Sequence, residues 1–130
     1  ANLNKLNVNV EKADVFDFLK QKYEIKERYD LIILDPPAFI KSRAKIKEGV
    51  KGYKEINIRA MKLLNKGGVL VTSSCSYHIS KEGFLEMLQD AAGDCKKSFR
   101  TIKMGGQSED HPVLLSMRET DYLKTFFLVL

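Results

Sequence analysis

Two short polar clusters each stand directly after an aliphatic run. Leu31-Ile32-Ile33-Leu34 stops at Asp35-Pro36-Pro37, and Val69-Leu70-Val71-Thr72 stops at Ser73-Ser74-Cys75-Ser76. They offer a carboxylate, which can give or take a proton, and a thiol, which is a nucleophile once ionised. A strongly basic segment begins just after the prolines. An acid, a thiol and nearby cations suit covalent chemistry on an electron-poor ring. A further acid, Asp14, precedes a helical pattern. Taken singly, each has a duller reading. A lone Cys after a strand is a small buried hydrophobe. Asp-Pro-Pro is a strand-ending turn, and Asp14 is a helix cap. His78 reads as a loop or capping histidine, and Cys95, in a charged stretch after a helix, as incidental. The combination raises the chemical reading above these.

The elements that must position these groups alternate between strand and helix. Residues 8–13 read as a short strand. Asp14 caps a helix with Phe16, Phe18 and Leu19 on its apolar side, and Asp17 sits near the capping-box position. The run 31–34 is aliphatic on both faces, as in a buried parallel sheet, and the prolines end it. From about 48 to 65, Val50, Tyr53, Ile56, Ala60, Met61 and Leu64 recur at helical spacing. Lys66-Gly67-Gly68 then reads as the C-cap. The run 69–72 is a second buried strand. Ser80 caps a helix carrying Phe84, Leu85, Leu88 and Ala92 that fades at Gly93. Residues 98–103 read as a third central strand, 105–113 as a loop, and 125–130 as a final apolar strand. The pattern predicts a doubly wound parallel sheet, with its last two strands paired antiparallel at one edge. Such sheets bind ligands at the carboxyl ends of their strands. If the two aliphatic strands are neighbours, Asp35 and Cys75 share one rim despite their separation in sequence.

Composition narrows the class. The chain has 130 residues, 44% hydrophobic and 30% charged, which suits one globular domain rather than disorder. No apolar run is long enough to span a membrane, so no membrane partner is expected. Two cysteines supply neither a disulfide framework nor a four-ligand zinc site, so no metal is expected and the setting reads as reducing and cytoplasmic. The net charge is +5, but its placement says more. Between Ala38 and Lys66 nine basic residues face only Glu48 and Glu55. Such clustering suits a polyanion, of which nucleic acid is the commonest, although a solvated loop and helix face would look the same. Because the segment starts at the Asp35-Pro36-Pro37 rim, Lys41, Arg43, Lys45 and Lys47 are expected to form a mobile loop on RNA phosphates. The remaining cations, from Lys54 to Lys66, read as an ordinary solvated face.

Residues 31–39, Leu-Ile-Ile-Leu-Asp-Pro-Pro-Ala-Phe, resemble the fourth motif of class I S-adenosylmethionine-dependent methyltransferases. Residues 71–76, Val-Thr-Ser-Ser-Cys-Ser, resemble the sixth motif of RNA 5-methylcytosine methyltransferases. With Gly106-Gln107 and Asp110-His111-Pro112-Val113-Leu114, the set is similar to the bacterial large-subunit ribosomal RNA cytosine-5 methyltransferases that carry a PUA domain. The resemblance covers nearly the whole chain. Asp-Pro-Pro alone is shared with amino-methyltransferases, whereas the combination is specific. It implies a Rossmann-like class I methyltransferase sheet, mostly parallel with an antiparallel C-terminal edge pair. It implies S-adenosyl-L-methionine as cofactor and large-subunit ribosomal RNA as substrate. Cys75 matches the nucleophile that adds to cytosine C6, and Asp35 the acid on the N3 side of the ring. Asp14 would accept from the cofactor's adenine amino group, with Val15 and Phe16 against that ring. Asp35 and Pro36 would also border the cofactor, and Pro37 and Phe39 the target base.

The departures from that family also set expectations. Its glycine-rich cofactor loop and its ribose-binding acid are not found in these residues, nor is a PUA domain. Residues 1–130 are therefore expected to be the C-terminal part of a catalytic domain, with a bare sheet edge that invites self-association. Two other readings remain beside cytosine-5 methylation. One is methylation of an exocyclic amino group. Against it, Phe39 lies four positions after Asp35, where that class puts an aromatic directly after the second proline, and Cys75 would have no task. The other is a non-catalytic fragment that binds RNA or a partner chain.

Overall fold

The computed structural model describes residues 4–40 and 42–130. Helix α1 (Val15–Glu24) begins at Asp14, whose carboxylate accepts from the Phe16 and Asp17 amides at 2.9 and 3.2 Å. Strand β1 (Tyr29–Leu34) follows, then a 3-10 turn (Arg43–Lys45), α2 (Ile46–Leu63) and β2 (Leu64–Ser74). Helix α3 (Lys81–Asp94) starts at Ser80, whose hydroxyl accepts from the Gly83 amide at 3.0 Å. Strand β3 (Arg100–Gly105), a second 3-10 turn (Arg118–Thr120) and β4 (Lys124–Val129) complete the order. Both sequence-predicted caps are thus in place, because each offers a side-chain oxygen to otherwise unpaired first-turn amides.

The sheet order is β1-β2-β4-β3. β1 pairs with β2 in parallel, and β4 pairs antiparallel with both β2 and β3. Three strands therefore share one direction, with β4 running against them. The C-terminal pair is antiparallel, as the sequence predicts. β3, however, is an edge strand and not a central one: β4 inserts between it and β2, and five of the six β3 residues are exposed.

Helices α1, α2 and α3 lie side by side on one face of the sheet. That face carries Leu34, Leu70, Phe126 and Leu128, all buried. Tyr53, Ile56, Ala60 and Met61 of α2 and Phe84, Leu88 and Ala91 of α3 close over it. The opposite face has no helix among the described residues, so the doubly wound expectation is not met. Leu31 and Ile33, expected to be buried on a two-sided strand, are 54% and 64% exposed. The pleat sends alternate side chains to opposite faces, and here only one face is covered.

Two element boundaries differ from the sequence reading. Residues 8–13 carry no strand ladder among the described residues: they pair with none of the four strands. Lys66-Gly67-Gly68 is not a helix cap. α2 ends at Leu63 and the chain is already extended at Leu64, where β2 starts. Pairing shifts from Tyr29–Leu64 to Leu31–Val69, so residues 65–68 bulge out. Gly67 turns that bulge at φ 79°, a conformation glycine adopts without steric cost. Its amide donates to the Leu130 carbonyl, and the Leu130 amide donates to the Gly68 carbonyl, both at 3.0 Å. The glycines thus dock the C-terminal residue. No helix among the described residues is long and apolar enough to cross a membrane.

An edge strand whose open side is apolar is a template for pairing with another chain. In sedimentation velocity, the weight-average mass of the 130-residue chain should rise with concentration, and Ile33→Lys should return it to monomer. A wild-type chain that stays monomeric across the range would remove the edge as an association surface.

Candidate active site

β1 and β2 are adjacent parallel strands, and Leu34 is the register partner of Thr72. Their carboxyl ends therefore lie side by side, roughly 4.8 Å apart between strands. Asp35 follows one end and Cys75 the other. Asp35 is exposed on the rim, with Pro36 half-buried and Pro37 exposed beside it. Cys75 is a free, half-buried thiol between two buried neighbours, Ser74 and Ser76.

The two rim loops are stapled together by hydroxyl groups. The Ser76 Oγ and the Tyr53 hydroxyl are 2.8 Å apart, one donating to the other. The Ile40 amide donates to Ser76 Oγ at 3.2 Å, and the Phe39 amide to the Tyr53 hydroxyl at 3.4 Å. The Ser76 amide donates to Ser74 Oγ at 3.3 Å. On its other side, the Ser76 carbonyl accepts from the Lys124 ammonium at 2.7 Å. The segment after Asp35-Pro36-Pro37 and the turn holding Cys75 are thereby locked to α2 and β4.

Close approach at α2 makes this lock fit. A Cβ on Gly49 would meet Ile40 Cγ1 at 2.4 Å and the Phe39 carbonyl carbon and oxygen at 2.9 Å. Gly52 lies under the Phe39 ring. That ring stands between Phe16 and Tyr53, with centroids 6.3 and 4.7 Å away. Tyr53 in turn meets Phe84, and Phe84 meets Phe126, so an aromatic column joins the rim to the core. Arg59 adds to it by donating to the Phe16 carbonyl at 2.5 Å and lying over the Phe16 ring. Phe39 is thus half-buried against α1 and α2.

Asp14, Val15 and Phe16 sit together at the start of α1. Asp14 Oδ1 takes both cap hydrogen bonds, which leaves Oδ2 to accept another donor. Val15 is exposed and Phe16 half-buried, and Phe16 borders an open cleft with Phe39, Lys45, Gly49 and Gly52. Of the four cations expected in a mobile loop, Arg43 and Lys45 form the 3-10 turn and Lys47 belongs to the first turn of α2. The helix begins this early because Ile46 already belongs to its inward stripe with Val50 and Tyr53. Arg43, Lys45 and Lys47 are exposed beside the rim, and Lys45 lies 4.0 Å from Glu48. Lys41 lies outside the described residues. In the loop before β4, the Ser108 hydroxyl and His111 hold the Asp110 carboxyl below the usual carboxylate range.

Sequence reasoning missed Tyr53, Gly49 and Lys124 as site-builders. Tyr53 was one more apolar helix position, and its hydroxyl partner lies 23 residues away. Lys124 had a signal: it shares period-2 spacing with buried Phe126 and Leu128, which puts it on the covered face.

The architecture is a Rossmann-like class I methyltransferase fold. A proposed SAM-dependent methyltransferase from Streptococcus mutans matches it with a TM-score of 0.76 at 24% identity, over 91% of this chain and 30% of that one. In sequence, the chain is 41% identical over 123 residues to the ribosomal RNA large subunit methyltransferase I of Shewanella frigidimarina, covering 95% of this chain and 31% of that protein. The protein of the same name from Escherichia coli is 38% identical over 127 residues, with 32% of its length covered. The chain thus spans about a third of the curated relatives it matches. No family model matches it.

The staple predicts the effect of two conservative changes. Tyr53→Phe should lower stability by about 1–3 kcal/mol, since it strands buried partners at Phe39 and Ser76. Gly49→Ala should destabilise as well, although alanine in a helix is ordinarily worth about 1 kcal/mol more than glycine. Chemical denaturation with a common m-value checks both. A stabilised Gly49→Ala protein would mean that Phe39 and Ile40 do not press on α2.

Proposed function

We propose that this chain carries the target-base side of an S-adenosylmethionine-dependent methyltransferase acting on C5 of a cytosine in large-subunit ribosomal RNA. In this reading residues 1–130 are the C-terminal part of the catalytic domain. The observation that carries it is the shared rim: Asp35 and Cys75 end adjacent parallel strands, and Ser76 and Tyr53 hold their loops to one another. The names of the sequence relatives supply the substrate class.

Cytosine C5 is a weak nucleophile. Addition of the Cys75 thiolate to C6 forms an S–C6 bond and makes C5 enamine-like, while Asp35 supplies a proton at N3. C5 then forms a bond to the methyl carbon as that carbon's bond to the sulfonium sulfur breaks, leaving a neutral thioether. Loss of the C5 proton to a base, with breakage of the S–C6 bond and return of the N3 proton to Asp35, restores the aromatic ring and the thiolate. The base must be unpaired or flipped out to reach the rim. S-adenosylmethionine, when bound, supplies the electrophilic methyl group. Asp14, through the Oδ2 left over from the helix cap, would accept from its adenine amino group, with Val15 and Phe16 against that ring, and Asp35 and Pro36 would border the cofactor. Pro37, its φ fixed by its own ring, and Phe39, braced by Tyr53, would keep the base-facing backbone from moving. The half-exposed thiol favours this reading over exocyclic amino methylation, which gives Cys75 no task.

In the protein carrying this chain, RNA containing 5-fluorocytidine at the target should trap a covalent adduct on Cys75, because fluorine cannot leave as the C5 proton does. Cys75→Ala should abolish adduct and turnover while leaving cofactor affinity within about twofold, since the thiol acts on the base. Asp35→Asn should lose most activity, because an amide cannot supply the proton. Normal turnover by Cys75→Ala would sink the mechanism, and an N-methylated product would return the amino reading. Absence of both cofactor binding and methyl incorporation would leave a non-catalytic RNA-binding fragment.

The basic rim yields a separate test. Changing Arg43, Lys45 and Lys47 together to Gln should flatten the salt dependence of RNA binding, by roughly 0.7 in log–log slope for each single-strand phosphate no longer neutralised. The weakening should be similar for all RNA sequences. An unchanged slope would take these cations out of the RNA interface.

A further inference from the structure

Lys124 is the first residue of β4 and the register partner of Ser74, one position before Cys75. It is only 7% exposed. A buried ammonium is costly unless hydrogen bonds replace its water. Two of its three protons are used on backbone oxygens, the Ser76 carbonyl at 2.7 Å and the Tyr122 carbonyl at 2.8 Å. Burial pushes its pKa below the ordinary lysine value, while Asp121 and Cys75 act in the opposite sense. Held on the Ser76 carbonyl and paired in register with Ser74, the ammonium lies against the turn that carries Cys75. The ammonium borders a cleft of about 490 Å³ with Tyr77, Ser80, Lys81, Glu82 and Asp121, on the flank of the Cys75 turn.

We infer that Lys124 is a positioning residue for Cys75, pinning the Ser74–Ser76 turn from the β4 side and setting a positive charge against the turn that carries the sulfur. The turn is then held at both ends of Ser76: its hydroxyl by Tyr53 and Ile40, its carbonyl by Lys124. Packing alone would be served by an apolar side chain of similar length, and backbone pinning alone by a neutral amide. What lysine adds is the charge, and a cation beside a thiol favours the nucleophilic thiolate. The other charged or titratable groups around the pair are Asp35 at the end of β1, Tyr77 and His78 after Cys75, Lys81 and Glu82 at the start of α3, and Asp121 and Tyr122 before β4. The inference rests on Cys75 being the nucleophile, but its test needs neither RNA nor cofactor.

The experiment uses a Cys95→Ser background, in which the hydroxyl can keep the bond from Cys95 to the Ile58 carbonyl and Cys75 is the sole thiol. The rate of iodoacetamide alkylation at neutral pH is measured for Lys124, Lys124→Arg, Lys124→Gln and Lys124→Met. The Gln and Met variants should react about tenfold more slowly, while Arg should stay within about threefold of Lys. Thermal melts accompany each variant. If Met fails to fold, Gln, which keeps a donor for the carbonyls, carries the same expectation. Unchanged or faster alkylation in a folded Gln or Met variant would overturn the inference. So would loss of the fold in both together with slow alkylation of the folded Arg variant, since that outcome assigns Lys124 to structure alone. A trapped RNA adduct on Cys75 alongside unaltered alkylation in the variants would keep the methyl-transfer reading and reject only the role of Lys124.

Discussion

A single hydroxyl, that of Ser76, lets two loops from different strands act as one rigid edge. It accepts from the Ile40 amide and shares a hydrogen bond with Tyr53, whose own oxygen takes the Phe39 amide. These groups are shielded from water: Tyr53 is fully buried and Ser76 nearly so. In such surroundings an unmade hydrogen bond costs far more than a made one contributes, so the network is all-or-none in character. Under the proposed function, a carboxylate and a thiol that act on one planar base would need this kind of fixed spacing. The side chains of Asp35 and Cys75 take no part in the network, which is built from Phe39, Ile40, Tyr53, Ser74 and Ser76 around them.

The same lock explains residues that have no chemistry of their own. Gly49 is required by the nearness of Phe39 and Ile40, not by turn geometry, because it lies inside a regular helix. A helix interior ordinarily disfavours glycine. Here the missing side chain is the space into which the rim loop packs. The aromatic column from Phe16 through Phe39, Tyr53 and Phe84 to Phe126 then ties the rim to the most deeply buried part of the sheet. Displacement of the rim would have to disturb the core, and close-packed interiors resist that.

Charge is distributed by a different logic. The exposed cations Arg43, Lys45 and Lys47 stand beside the rim on a short turn and a helix start, where they can meet a polyanion without desolvation. Further along α2, Lys54 pairs with Asp94 at 3.0 Å and Arg59 with Glu55 at 2.6 Å, so part of the excess is absorbed within the helix layer. Lys124 is the opposite case, a cation removed from water and held by the Ser76 and Tyr122 carbonyls. Surface cations and the buried one thus sit in opposite surroundings, water for the first and backbone carbonyls for the second.

Local physics made much of this legible in the residues alone. Aliphatic runs broken by Asp-Pro-Pro and Ser-Cys-Ser mark strand ends, Asp14 and Ser80 mark helix starts, and the alternation of the two requires neighbouring parallel strands. Each of these signals is carried by groups a few positions apart. The helix end at Leu63, the edge position of β3 and the open face at Leu31 and Ile33 are different in kind. They follow from β4 entering between β2 and β3, from the Tyr29–Leu64 pairing and from which side of the sheet the helices occupy. Those are long-range choices, and two-sided aliphatic strands are compatible with several of them. Tyr53, Gly49 and Lys124 belong to the same category: an apolar stripe, a helical glycine and a strand lysine acquire their roles only when the fold brings Phe39, Ile40 and Ser76 against them.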